Sequence, residues 1–174
     1  MENQKALIII DVLEGIVKLP VPIYEEKKFF ENLQIILKKA KDKEIPVIYN
    51  QHFTPKGSFF EKGSENQRIH KLIEPQKGDI VIEKHNPDSF HGTNLDQILK
   101  EKNINTLYIC GFAAEGCIDS TVRSAFSKDY KVILISDCHT TTDTEILKAE
   151  QIMDHHNHIL QRFAILKKTE EVQF

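Results

Sequence analysis

The chain has 174 residues, 40% of them hydrophobic and 28% charged, with a formal net charge of -3 at pH 7. This length and balance indicate one soluble domain over residues 1–174 with a proper core, and they exclude a disordered chain. A mildly acidic sequence with no Lys or Arg block excludes nucleic acid and anionic membrane as partners.

ALIII (6–10) is a continuous, branched apolar run, as expected of a strand buried on both faces. In FFENLQIILKKA, Phe29, Phe30, Leu33, Ile36, Leu37 and Ala40 fall on one side at helical spacing. PVIYN (46–50) predicts a second strand and DIVIE (79–83) a third, separated by a long polar connection. A helix over about 94–102, a fourth strand TLYIC (106–110) and a helix over about 116–127 follow. KVILIS (131–136), a helix over about 143–158 and the short run FAIL (163–166) complete the pattern.

Strands alternating with helices predict a three-layer α/β/α domain. Its six-stranded sheet is expected to be mostly parallel, in the Rossmann-like order 3-2-1-4-5-6. Segments 51–78 and 84–93 are long for so compact a unit, and long loops often carry a site. No apolar run approaches the roughly 20 residues that cross a bilayer. MENQKALIIIDV lacks the layout of a secretory leader, because Asp11 interrupts its apolar run. Three cysteines without a CxxC pair suggest neither a disulfide framework nor a structural zinc site. Reduced thiols and a cytoplasmic location are therefore expected.

In open parallel sheets, ligands lie beyond the carboxyl ends of the strands where the strand order reverses. Strand 1 ends in Asp11, strand 4 ends shortly before Cys117, and Lys84 closes strand 3. Each has a plain structural alternative: a turn-capping aspartate, a packed cysteine, a solvated lysine. Convergence of all three at strand ends is what favours chemistry. A place in the first helical turn favours thiolate at Cys117, and the small residues before it allow backbone amides to form an oxyanion hole. Cys110 and Cys138 are assigned to packing.

Three segments carry a resemblance. ALIIIDV, VIEKHNPDSFHGTNLDQIL and GFAAEGCIDSTVRSAF, in that order, resemble the isochorismatase-like cysteine hydrolases, which include nicotinamidases and N-carbamoylsarcosine amidohydrolases. The resemblance implies a catalytic Asp11, Lys84 and Cys117, and a cis peptide at Phe112–Ala113. It further implies an oxyanion hole from the N–H groups of Ala113 and Cys117. The implied activity is cleavage of a C–N bond in a small amide, carbamoyl or ureido compound through a thioester. No cofactor is implied, and relatives are commonly dimers or tetramers, so a homo-oligomer is expected.

The sequence departs from nicotinamidases, whose metal is held by an Asp-x-His pair and two further histidines. Here the pair reads Asn50-Gln51-His52, with Ser58 near an expected histidine and only His70 as a stand-in. No metal is therefore expected; a weak site at His52 and His70 is the alternative, and a thiol-sensing or binding protein on the same scaffold is another. True isochorismatases lack the cysteine, so Cys117 argues against vinyl-ether chemistry. Leu13, His52, His85, Asn86, Phe112 and His139 are the expected pocket residues. Phe53, Phe59 and Phe60 are candidates for covering the site, and His155, His156 and His158 read as solvated helix surface.

Overall fold

Six strands pair into one sheet in the computed structural model, which describes residues 4–174. They are β1 (Gln4–Ile10), β2 (Val47–His52), β3 (Ile80–Lys84), β4 (Ile104–Phe112), β5 (Lys131–Thr140) and β6 (Ile165–Lys167). The spatial order is β3-β2-β1-β4-β5-β6, as expected, and every pairing is parallel.

Central β1 shows why its sequence is apolar throughout. Alternation sends Leu7 and Ile9 to one face and Ala6, Ile8 and Ile10 to the other, and both faces are covered. Helix α1 (Glu26–Asp42) covers the first face through Phe29, Phe30, Leu33, Ile36 and Ala40. Helices α2 (Leu95–Glu101) and α3 (Asp119–Ser127) cover the second through Leu95, Leu99, Val122 and Ala125. Helix α4 (Ala149–Leu160) adds Leu160 to that cluster, while its Ile152 and Met153 close over Ala114.

Two elements differ from the sequence reading for local reasons. β5 continues past Ser136 to Thr140, because the ladder resumes after a bulge: Ile109 pairs with Leu134, but Gly111 pairs with His139. α4 begins at Ala149 rather than near residue 143. The side chain of Asp143 accepts from the Ala149 N–H at 2.8 Å, and Thr144 Oγ1 accepts from the Leu147 N–H at 2.9 Å. These bonds hold the preceding residues in a turn.

The strand ends that matter meet where β1 lies beside β4. Gly111 has φ 127°, and a Cβ there would lie 2.0 Å from the Ile10 carbonyl oxygen. Only glycine allows β4 to turn this close to β1. The long segment after β2 folds back on the same end. His70 N–H donates to Val12 O at 2.9 Å, Glu14 N–H to Arg68 O at 2.7 Å, and Gly15 N–H to Asn66 O at 2.9 Å.

Candidate active site

Asp11 is the first residue beyond β1. Its φ of 52° turns the chain out of the sheet, a conformation aspartate tolerates better than most residues, and its N–H donates to Asn50 O at 3.0 Å. Lys84 ends β3, and its side chain is sealed from solvent. The Lys84 ammonium lies 2.6 Å from Asp11 Oδ2 and 3.3 Å from Cys117 Sγ, and donates to the carbonyls of Asn86 (3.0 Å) and Pro87 (3.2 Å). Beyond that ion pair, the Asp11 carboxylate is hydrogen-bonded with the Cys117 side chain. The carboxylate keeps capacity for a proton.

Cys117 stands in a π-helical turn, Ala114–Ile118, that runs directly into α3. The wider turn is closed by Ile118 N–H donating to Ala113 O at 3.1 Å, beside Gly116 N–H to the same oxygen at 3.0 Å. Phe112–Ala113 is a cis peptide.

The expected bias toward thiolate is reversed. Burial pushes the Cys117 thiol up to about 12, and the Asp11 carboxylate opposes ionisation further; Lys84 pulls the other way and is outweighed. Desolvation of the sulfur thus favours the thiol and works against the helix-end bias toward thiolate.

A cavity of about 120 Å³ opens onto the sulfur. Asp11, His52 and Cys117 are its polar side chains; Leu13, Ile16, Phe60 and Phe112 wall it, and Ala113 and Gly116 line it beside the sulfur. Of the expected pocket residues, Leu13, His52 and Phe112 are there. His85, Asn86 and His139 are not. The His85 ring is exposed, tilts against Phe53 and contacts the Asn86 amide. Asn86 instead serves through its carbonyl on Lys84. The bulge in β5 carries His139 into a different cavity beside Tyr24 and Asn157.

Across most of its length the chain, residues 5–171, matches the Isochorismatase domain model. The isochorismatase family protein YddQ of Bacillus subtilis (strain 168) is 34% identical over 132 residues, 72% of this chain and 73% of that protein. The chain belongs to the isochorismatase family. Among solved structures, a putative isochorismatase from Burkholderia xenovorans superposes with a TM-score of 0.91 at 28% identity, covering 98% of this chain and 86% of that one. The ureidoacrylate amidohydrolase RutB of Azorhizobium caulinodans is 35% identical over 81 residues, 47% of this chain and 36% of that protein. Members of the family are hydrolases, and this chain is a hydrolase.

The residues do not fit the metal that some family members carry. Asn50 supplies no carboxylate, and Ser58 Oγ is bonded to Thr54 Oγ1 at 2.6 Å. His70 stacks on Phe30 at 4.3 Å, and its Nδ1 accepts from the Leu72 N–H, so it is not gathered with His52. No group of three or more His, Cys, Asp or Glu side chains is placed to hold a metal ion among the described residues.

Several contributors lie outside the sequence reading. Ile16 reaches the cavity from a turn with no periodic signal, beside Phe60, which the sequence offered as a cover for the site. Ser89 and Thr121 fasten the Lys84 loop to the Cys117 helix: Ser89 N–H donates to Thr121 Oγ1, which donates to Ser89 Oγ, both at 3.0 Å. Ser89 stands in the quoted lysine segment, which is the signal that marks it. Cys110 and Cys138 are fully buried in the core, as assigned, and His155 and His158 are exposed.

Proposed function

We propose that the chain hydrolyses the C–N bond of a small amide, carbamoyl or ureido compound through a Cys117 thioester. The observation that carries this reading is the Lys84 ammonium touching both Asp11 and Cys117, which line one cavity. The relative named for ureidoacrylate hydrolysis supports the same bond type.

The chemistry follows from the protonation states. With the thiol held up to about 12, attack needs a base, and Asp11 takes the Cys117 proton as the sulfur adds to the carbonyl carbon. The tetrahedral oxyanion is met by the N–H groups of Ala113 and Cys117. Asp11 then gives its proton to the departing nitrogen, which leaves as ammonia or an amine. Water enters, loses a proton to the same carboxylate and cleaves the thioester, releasing the acid and the thiol. Lys84, tied to two carbonyls, keeps carboxylate and sulfur in register and stabilises negative charge on sulfur.

Ammonia release from a panel of small amides, with Cys117→Ala as control, tests the reading. The variant is expected to keep its circular dichroism spectrum and lose turnover; hydrolysis retained by Cys117→Ala would refute the mechanism.

A further inference from the structure

The cavity at Cys117 limits the acyl half of any substrate in size. Its volume of about 120 Å³ is below the roughly 150 Å³ that encloses benzene in an apolar protein interior. A carboxamide already fills three heavy-atom positions, and the cavity is partly open, so a narrow alkyl chain can extend outward whereas a rigid ring attached at the carbonyl carbon is disfavoured.

The cavity also limits charge. Leu13, Ile16, Phe60 and Phe112 form the walls, and no arginine lines them. Among the described residues, the ammonium that touches Asp11 and Cys117, on Lys84, is taken up by Asp11 Oδ2, the Asn86 and Pro87 carbonyls and Cys117 Sγ. An ammonium has three N–H groups, so none remains for a ligand anion. A substrate carboxylate would enter beside Asp11 with no cation to pair with, the costliest kind of burial. His52 supplies no charge at neutral pH either, because burial holds it below the ordinary histidine range. Its Nδ1 is buried without a hydrogen-bond partner among the described residues.

We infer that the site takes a short, uncharged aliphatic amide or urea and discriminates against carboxylate-bearing ureido compounds and against aromatic carboxamides. His52 is the neutral wall residue that orients the polar end. This deepens the amidohydrolase reading and rests on it for turnover, while the selectivity of the cavity is separately measurable.

Two measurements test it. In the first, kcat/KM for ammonia release is compared for butanamide, succinamate and benzamide. Butanamide is expected to exceed both others by about 100-fold or more. Succinamate or benzamide matching it overturns the inference and leaves the amidohydrolase reading standing. In the second, Cys117 is alkylated with iodoacetamide or iodoacetate and the modified peptide is weighed. Sulfur displaces iodide, and the thiol proton is lost to buffer base. Relative to 2-mercaptoethanol, the neutral reagent is expected to gain about 10-fold or more over the anion. Equal labelling, or labelling by neither, overturns the inference whether or not any amide is hydrolysed. Neutral-selective labelling without turnover of any amide supports it and refutes the amidohydrolase reading instead. His52→Leu is expected to raise KM for butanamide about 10-fold with kcat little changed, and His52→Gln to restore it; an unmoved KM overturns the assignment to His52.

Discussion

Lys84 and Asp11, which lie at the ends of β3 and β1, meet at 2.6 Å with both side chains almost wholly out of solvent. Neither charge is tolerable there without the other. Lys84→Met is therefore expected to destabilise the fold by about 3–5 kcal/mol, since it strands a buried carboxylate. Urea unfolding at neutral pH measures it; a loss under about 1 kcal/mol, the range of exposed pairs, would contradict the burial seen here.

Asp11→Asn separates two roles of the carboxylate. As a base it is worth about 10²–10⁴ in rate, so turnover should fall by that factor. As a charge it opposes ionisation of Cys117, so iodoacetamide should modify Cys117 faster in the variant at pH 8. Slower alkylation than in the parent protein would show that the carboxylate does not hold the thiol up.

Alkaline stability should depend on Cys117. The thiol is raised from 9.0 to about 12 in the fold, so between those values the unfolded chain has lost a proton that the folded chain keeps. The unfolded state then binds fewer protons, and stability falls as pH rises through that window. Below pH 9 the contribution is fully present. Tyr49 and Tyr130 are also raised by burial and act in the same sense. The readout is therefore a difference: Cys117→Ala should lose less stability than the parent between pH 8 and 10.5 in guanidinium melts.

Two glycines near the site should answer oppositely to alanine. Gly111→Ala puts a Cβ against the Ile10 backbone at positive φ and should cost about 4 kcal/mol or more. Gly116→Ala meets nothing within 4 Å and should be neutral or stabilising by up to about 1 kcal/mol. Thermal melts of the two variants side by side decide it.

Thr121→Val removes the partner of the buried Ser89 N–H and should cost about 1–3 kcal/mol. Because that bond anchors the loop whose carbonyls hold Lys84, kcat should drop more than KM rises. Thr121→Ser should restore kcat; a variant that loses stability alone would reduce the Ser89–Thr121 link to packing.

The sheet was legible because its strands are short apolar runs, the central ones buried on both faces and the edge strands β3 and β6 on one, and the candidate site was legible because Asp11 and Lys84 stand at the carboxyl ends of β1 and β3 and Cys117 in the turn after β4. Element ends were less legible. The β5 bulge, which relocates His139, depends on pairing with β4, and the late start of α4 on side chains that compete with its first turn.

Residue order along the chain thus determined which side chains were available and at which end of the sheet they emerged, since a period of two and a period of 3.6 are properties of the sequence itself. What surrounds the sulfur was decided only by the tertiary structure. Whether Cys117 is thiol or thiolate, which histidine faces it and whether any cation is free for a ligand all depend on desolvation and on contacts between residues distant in the chain. Those are properties of the packed interior, and local sequence does not encode them one residue at a time.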